Sequence, residues 1–206
     1  MSKLKVDQIS KATGASPAIF TLPAADGTAG QYMKTDGSGN LGFVSAAAGA
    51  KIGQVVQTTK TDSWLQSTTD QTYYNPTGFS RTITPVATSS KVLILACCSW
   101  SATTNYEVGT KITRTIGGVE EDILIADTAG SRTRTFLSER SNGAADYAST
   151  TVILLDSPNT TSEITYKPVA ATESSATLYL NRQHSDSDSA GEFRAASNII
   201  CVEVLA

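Results

Sequence analysis

The segment from Val92 to Trp100 is apolar at odd and at even positions alike, and this feature constrains the fold more than any other. Since successive side chains of a strand point to opposite faces, a strand here carries Val92 and Ile94 on one face and Leu93 and Leu95 on the other. Three shorter segments repeat the pattern, at residues 123–126, 152–155 and 199–202. These segments therefore offer apolar side chains to two surfaces.

Covering the second surface requires more than the two-layer sandwich of a single chain. Such a sandwich leaves one face of each sheet in water and needs clean alternation of apolar and polar residues. Burying each further Leu or Ile contributes about 1.5–3 kcal/mol, and subunit contact is the direct solution, with the inner sheets facing a shared axis. A thick single core covered by loops, or local departures from alternation, is the alternative, and the pattern does not distinguish a trimer from a dimer.

Residues 51–206 as a whole predict an all-β domain. Short strands recur between turn residues, without a convincing helix. The predicted strands are residues 52–61, 91–100, 110–116, 119–127, 150–155, 163–169, 176–181 and 198–205. Gly117 and Gly118 predict a two-residue hairpin turn, and the alternation around Thr113 and Tyr179 predicts outer strands with Thr and Tyr in contact with solvent. This spacing indicates an antiparallel β-sandwich of the jelly-roll type.

Residues 1–50 have a different character. Their apolar side chains come singly or in pairs among Gly, Ser, Ala and Thr, with predicted strands at 31–35 and 40–44 and a small-residue linker at 45–50. Such a stretch cannot offset a backbone ordering cost of about 1–2 kcal/mol per residue. We predict an extended arm or shaft ordered only by sister chains or a neighbouring protein, with a disordered tail as the alternative. Its predicted contact residues are Leu4, Val6, Ile9, Ile19, Phe20, Leu22, Tyr32, Leu41 and Phe43.

Composition excludes several classes of partner. The 206 residues carry a net charge of only −3, with acids and bases interspersed, which gives no electrostatic reason to expect nucleic acid or an anionic membrane. The longest apolar run is too short to cross a bilayer. No apolar stretch follows the N-terminal residues, so we expect no secretory signal and a protein that stays in the cytoplasm where it is made.

The three cysteines, Cys97, Cys98 and Cys201, give no disulfide framework. Neighbouring strand residues point to opposite faces, so Cys97 and Cys98 are not expected to bridge each other. All three lie in apolar runs, and we expect buried, reduced, structural thiols.

A catalytic site is not expected, and neither is a cofactor. The single histidine, His184, lies in a polar segment without apolar neighbours, and no Gly-x-Ser-x-Gly motif is present. Asp186 and Asp188 could ligate a divalent cation, but they lack the glycine and the distal glutamate of a calcium loop. We therefore predict a solvated turn there, with an ion site as the alternative.

Four aromatic residues are candidates for sugar recognition: Trp64, Tyr73, Tyr74 and Tyr106. They lie in polar, loop-like segments beside Asn and Gln residues, and exposed aromatic side chains on a rigid β scaffold often mark binding surfaces. Packing against the ends of the sandwich or a neighbouring subunit is the alternative that we favour from the sequence.

Two parts of the sequence resemble proteins of a known group. Residues 21–41, TLPAADGTAGQYMKTDGSGNL, and the opening MSKLKVDQI resemble segments of fibre and appendage proteins of tailed bacteriophages, notably aquatic ones. The later IGQVVQ at 52–57, ITP at 83–85 and TSSKVLI at 88–94 resemble the C-terminal head domain behind that segment. The resemblance is good over residues 1–95 and thinner afterwards.

The resemblance implies a homotrimeric virion protein, assembled in the cytoplasm of a bacterial host. Residues 1–50 would anchor it to other tail or capsid proteins or thread between sister subunits, and residues 51–206 would form a head that binds a host receptor, with a surface glycan as the expected class. An extended repeat region is missing, so a short tail fibre, a head fibre and a capsid decoration protein that stabilises the particle all stay open. A lectin-like carbohydrate-binding module is a further alternative.

Overall fold

The computed structural model describes residues 6–10, 19–45, 51–103, 105–143 and 146–205. The chain divides into two compact units, residues 1–50 and 51–206. Every regular element in the described residues is a β-strand. No helix in this part of the chain is long and apolar enough to cross a membrane.

The first unit contains two antiparallel strand pairs. Its strands are β1 (Gln8–Ser10), β2 (Ile19–Thr21), β3 (Gln31–Thr35) and β4 (Leu41–Ser45). β1 pairs with β2, and β3 pairs with β4 in the hairpin that the sequence predicts. None of the side chains described in this unit is buried, so the described residues of this unit form no hydrophobic core.

The turn between β3 and β4 is specified by its own side chains. One carboxylate oxygen of Asp36 accepts hydrogen bonds from the backbone N–H of Ser38 at 2.7 Å and of Asn40 at 3.0 Å. The Asn40 side-chain amide donates to the other oxygen at 2.7 Å. These hydrogen bonds lower the pKa of Asp36, and the bond from the Asn40 side chain has the largest effect. Gly39 has φ +93°, and a Cβ there would lie 2.8 Å from the Ile19 carbonyl oxygen, which explains the glycine.

The second unit contains two sheets. Its strands are β5 (Ile52–Lys60), β6 (Trp64–Ser67), β7 (Arg81–Ile83), β8 (Lys91–Ala102), β9 (Tyr106–Ile116), β10 (Val119–Asp122), β11 (Leu137–Ser141), β12 (Ala148–Asp156), β13 (Ile164–Thr172), β14 (Thr177–Leu180) and β15 (Ser197–Val204). A six-stranded sheet has the order β5-β15-β8-β14-β6, with β12 along the other edge of β8. A five-stranded sheet has the order β10-β9-β13-β7, with β11 also paired to β9. The predicted antiparallel β-sandwich is confirmed.

One hydrophobic core lies between the two sheets. β8 contributes alternate side chains, and Val92, Ile94, Cys98 and Trp100 are all fully buried. The five-stranded sheet contributes Val108, Ile112, Ile164 and Tyr166, which belong to the same buried cluster. Each large apolar side chain contributes about 1.5–3 kcal/mol on burial, so this interior is the main source of stability of the unit.

A partly buried polar cluster links the two sheets. Nη1 of Arg114, on β9, donates to both oxygens of Asp156, at the end of β12, at 3.0 and 2.9 Å. The hydroxyl of Tyr166, on β13, donates to Asp156 at 2.7 Å. Burial and then the Asp156 carboxylate raise the pKa of Tyr166, so its hydroxyl keeps the proton that it donates.

The local sequence pattern predicts the hairpin turn at Gly117-Gly118 correctly but gives the wrong end for the strand that follows it. Gly117 and Gly118 form the predicted turn, with φ of 56° and 85°. The returning strand was predicted to reach residue 127 but ends at Asp122, so residues 123–126 are not a strand. Ile123 and Leu124 instead pack against the core while the chain leaves the sheet.

The predicted exposure of Thr113 and Tyr179 is also wrong, and Thr113 exposes only 3% of its surface. β14 belongs to the six-stranded sheet, and Tyr179 exposes only 9% of its surface to solvent. The Arg182 guanidinium lies 4.9 Å from the centre of its ring, and the His184 ring lies 5.7 Å from it. The loop that follows β14 therefore covers the side chain that alternation assigned to solvent.

A buried carboxylate joins β5, β15 and the segment after β7. Glu203 is fully buried and accepts a hydrogen bond from the backbone N–H of Val86 at 2.7 Å. Both the backbone and the side-chain nitrogen of Gln54 lie 3.4 Å from its carboxylate. A Cβ at Gly53 would lie 2.6 Å from the same carboxylate, so a larger residue there would displace the Glu203 side chain. Burial acts to raise the pKa of Glu203, but these hydrogen bonds outweigh it and lower the pKa.

We expect Glu203→Gln to lose about 1–3 kcal/mol of unfolding free energy at pH 7, because it removes a charged acceptor from buried N–H donors. A lowered pKa contributes stability above the unfolded value of about 4.3, and this contribution disappears as pH falls through the folded value. The deficit should therefore shrink below about pH 4. Urea unfolding from pH 7 to pH 3 measures it, with the exposed Glu163→Gln as control. A deficit that is the same at every pH would contradict this account.

Candidate functional site

The outward face of the six-stranded sheet is apolar over neighbouring strands. We define the apolar face by its aliphatic residues: Val55, Leu93, Leu95, Ile153, Leu155, Ile200 and Val202. They come from β5, β8, β12 and β15, and each alternates with a residue that points into the core. The second surfaces predicted for residues 92–100, 152–155 and 199–202 therefore lie side by side.

Strand register aligns the apolar face into two rows across the sheet. In the first row Val55 pairs with Val202, Val202 with Leu93, and Leu93 with Leu155. The second row runs through Gln57, Ile200, Leu95 and Ile153. With about 4.8 Å between strands, each row spans about 15 Å. Gln57 is the only polar member of the two rows, so neither row carries a charge, and the exposed Lys91 flanks them at the start of β8.

The apolar face is open to solvent in the single chain. Ile153 exposes 68% of its surface, Val55 61% and Leu155 48%. Monomeric proteins seldom leave a contiguous patch of aliphatic side chains in water, and such patches mark interaction surfaces. The next row toward the C-terminal end of β8 is more polar and consists of Thr59, Asn198, Cys97 and Thr151.

Cys97 departs from the sequence prediction. All three cysteines are free thiols, but Cys97 is exposed beside the apolar face, whereas Cys98 and Cys201 are fully buried. The prediction that Cys97 is buried is wrong because odd-numbered residues of β8 point away from the core. Burial raises the pKa of Cys98, and it raises that of Cys201 to about 12.

The five-stranded sheet carries a different outer surface. A cleft of about 460 Å³ opens on it. Its floor includes Gly109 of β9 and Ala171 of β13, which are direct neighbours in the sheet. Its walls are polar apart from one aromatic ring and consist of Gln71, Tyr73, Glu107, Ser131, Arg132, Thr133, Thr135, Ser138, Thr172 and Glu173.

Charges at the cleft are balanced by arginines. Arg140 Nη2 lies 3.5 Å from Glu173 and 3.8 Å from Glu107. Both glutamates are partly exposed, with 37% of the Glu173 side chain and 47% of the Glu107 side chain in contact with solvent. Arg132 lines the same cleft. The surface therefore offers carboxylate acceptors and guanidinium donors together.

Tyr73 is held in place as the aromatic wall of the cleft. Its hydroxyl donates to the Arg134 carbonyl oxygen at 3.1 Å. The Lys111 ammonium lies 3.8 Å from the ring centre, a cation–π contact. Burial raises the pKa of Tyr73, so the hydroxyl stays protonated at neutral pH.

The four candidate aromatic residues do not form one site. Tyr73 lines the cleft, whereas Trp64 and Tyr106 pack against the hydrophobic core. Tyr74 pairs its backbone with Ala170 of β13. Sequence reasoning missed the polar residues of the cleft, because they come from segments far apart in the chain and none of them forms a local motif.

The candidate arm residues are largely exposed. The exposed fractions are 45% for Val6, 53% for Ile9, 48% for Ile19, 39% for Phe20 and 47% for Tyr32. Leu22, Leu41 and Phe43 are partly exposed, and Leu4 lies outside the described residues. These side chains have apolar surface available for contact.

The acidic segment near Asp186 is held by ion pairs. Asp186 lies 2.8 Å from Arg194 and 3.3 Å from Arg182. Glu192 accepts hydrogen bonds from the backbone and the hydroxyl of Ser187, both at 2.8 Å. Asp188 is exposed. Among the residues that the structure describes, no group of three or more His, Cys, Asp or Glu side chains is placed to hold a metal ion.

No protein-family model matches this chain, and no curated protein does. Distant similarity exists to solved structures of infectious bursal disease virus. Its VP2 subviral particle gives a TM-score of 0.39 at 13% identity, covering 81% of this chain and 40% of that chain. Its Gx strain gives 0.36 at 12% identity, covering 81% and 39%.

The T=1 particles derived from the same virus give a TM-score of 0.35 at 10% identity, covering 80% of this chain and 39% of that chain. The present chain thus spans about two fifths of the length of the proteins it matches. With TM-scores below 0.5, these similarities carry no inference about fold or function.

The thiols give a direct check of the two faces of β8. We expect native protein at pH 8 to react with a thiol reagent at no more than one cysteine per chain, and Cys97→Ser to react at none. Buried thiols of raised pKa carry too little thiolate to react. Denaturation should expose all three. Fast native reaction of Cys98 or Cys201, read by mass spectrometry of labelled peptides, would contradict this placement.

Proposed function

We propose that this protein is a structural component of a virion, a homotrimeric appendage such as a tail fibre of a tailed bacteriophage. Residues 1–50 anchor it to other virion proteins, and residues 51–206 form a head that binds a receptor on the host surface. The apolar face of the six-stranded sheet carries this proposal. The resemblance of residues 1–95 to phage fibre and appendage proteins supports the phage context and the trimer.

The apolar face suits another copy of itself. Its two rows hold no charge, so equivalent faces meet without like-charge repulsion. A stable interface buries about 800 Å² on each partner, more than the aliphatic rows alone provide. The flanking row, which includes Thr59, Asn198 and Thr151, would supply the polar rim that surrounds the core of most interfaces.

The first unit needs a partner for a separate reason. Its described side chains are partly or fully exposed, and they include Ile9, Ile19 and Tyr32. A short two-stranded ribbon is marginally stable at best in water. Contact with sister chains or with a tail or capsid protein would cover these residues, which supports the role of residues 1–50 as an anchor.

The contrast between the two outer surfaces supports a receptor-binding head. In the proposed trimer the apolar face turns toward the shared axis, which leaves the five-stranded sheet and its polar cleft for the outside. A rigid sandwich with a hydrophilic outer sheet can present loops and clefts to a host surface glycan.

A single substitution in the apolar face tests the assembly. We expect wild type to elute at three times the chain mass and Ile153→Asp to elute as a monomer, because each copy would bury an unpaired carboxylate in the interface. Val119→Asp is the matched control, since Val119 exposes 63% of its surface on the other sheet. Size-exclusion chromatography with light scattering reads the mass, and circular dichroism checks the fold.

Cys97 reports on the same surface independently. Its thiol should react slowly in the wild-type assembly and at least about tenfold faster in Ile153→Asp, because the neighbouring row becomes open to reagent. A wild-type protein that is monomeric at micromolar concentration, with Cys97 fully reactive, would contradict the assembly.

Location on the particle tests the virion role. Electron microscopy of phage particles labelled with antibody against residues 51–206 should place the protein on the tail. Label over the capsid would favour the head-fibre or decoration alternative, and unlabelled particles would refute the virion role altogether.

A further inference from the structure

We propose that the cleft on the outer face of the five-stranded sheet is a binding site for a neutral saccharide. The inference rests on the proposed function, for which it names the receptor site and the class of receptor. The four aromatic residues singled out in the sequence do not define this site, since only Tyr73 reaches it.

The shape of the cleft depends on small residues at its floor. A Cβ at Gly109 would lie 3.3 Å from Thr135 Oγ1 and 3.4 Å from the Tyr73 hydroxyl, so a larger side chain would fill the space between the walls. Ala171 continues the floor on the neighbouring strand. The resulting volume of about 460 Å³ falls within the range of small-molecule sites. A ligand of one or two sugar rings fits this size.

Charge in the cleft favours a neutral ligand over an ionic one. Glu107 and Glu173 would repel phosphate, sulfate or sialic acid, and Arg132 together with the nearby Arg140 would repel a cation. A sugar hydroxyl both donates and accepts hydrogen bonds. It can therefore donate to the carboxylates and accept from the guanidinium of Arg132.

The remaining walls match the same chemistry. Ser131, Thr133, Thr135 and Ser138 line the cleft with hydroxyl groups. Tyr73 adds an apolar ring of the kind that contacts the C–H faces of sugars while its hydroxyl stays bonded to the protein. Ala171 is the only aliphatic side chain among the lining residues, and no larger one that would favour a lipid or an apolar peptide is present there.

The cleft is preorganised. Gln71 adopts φ +55°, a conformation that non-glycine residues seldom adopt and that recurs at binding sites. Its backbone N–H donates to the Thr172 carbonyl oxygen at 2.9 Å, and its side-chain oxygen accepts a hydrogen bond from Thr133. Tyr73 is fixed by Arg134 and Lys111. Fixed walls lower the entropy lost when a ligand binds.

A glycan array with the full-length, assembled protein tests the site. The probes are glucose, galactose, mannose and N-acetylglucosamine with their short oligomers, alongside sialylated and sulfated glycans. We expect binding to at least one neutral probe. Thr133→Trp, at an exposed position of the cleft wall, should weaken that binding by about tenfold or more, equivalent to about 1.4 kcal/mol.

Two further variants test whether the loss of glycan binding is specific to the cleft. Thr161→Trp adds the same ring at an exposed position outside the cleft lining and should leave binding unchanged. Glu173→Gln keeps the shape but removes the carboxylate, and it should also weaken binding. Circular dichroism and light scattering confirm that each variant folds and assembles.

Each failure is distinguishable from failure of the proposed function. A protein that assembles and labels the phage tail, but binds no neutral probe, overturns the cleft and leaves the appendage role intact. Binding that Thr133→Trp does not weaken, or binding to anionic glycans alone, also overturns it. Loss of assembly and of particle labelling refutes the proposed function, whatever the array shows.

Discussion

The sandwich depends on β8, which pairs with other strands along both edges and carries apolar side chains on both faces. Its edges pair with β12 on one side and with β15 and β14 on the other. Its inner side chains, from Val92 to Trp100, form the centre of the core. Its outer side chains, Leu93 and Leu95, lie in the middle of the apolar face. Because β8 contributes both to the core and to the apolar face, it couples the stability of the subunit to the surface through which subunits are proposed to meet.

The two outer surfaces of the sandwich differ in chemistry, so the two sides of the domain are suited to different contacts. One sheet shows aliphatic rows without charge, and the other shows Thr, Glu, Lys and Arg side chains around a cleft. The Arg114–Asp156–Tyr166 cluster ties the sheets together inside. The ion pair is partly buried, and the Tyr166 hydroxyl adds a hydrogen bond to the same carboxylate. The domain therefore has one apolar and one polar outer surface.

Features set by local chemistry could be predicted from the sequence, and features set by distant pairing could not. The Gly117-Gly118 hairpin and the Asp36–Asn40 turn depend on residues within a few positions of each other. The two-faced pattern of β8 and its neighbours identified the apolar face before its register was known. Alternation predicts that Tyr179 contacts solvent, because the local pattern does not show that Arg182 and His184 pack against its ring. The cleft was missed because Gly109 and Ala171 become neighbours only when β9 pairs with β13.

The position of β15 has a consequence for biosynthesis. This strand lies between β5 and β8, and the contact of Gln54 with Glu203 closes a loop of 149 residues. The six-stranded sheet therefore stays open until residues 197–204 have been made, and long-range closure of this kind is slow relative to local hairpins. A polypeptide interrupted before that point leaves β5 unattached to β8 and the apolar face without Ile200 and Val202. A truncated product therefore lacks both the strand that joins β5 to β8 and part of the apolar face.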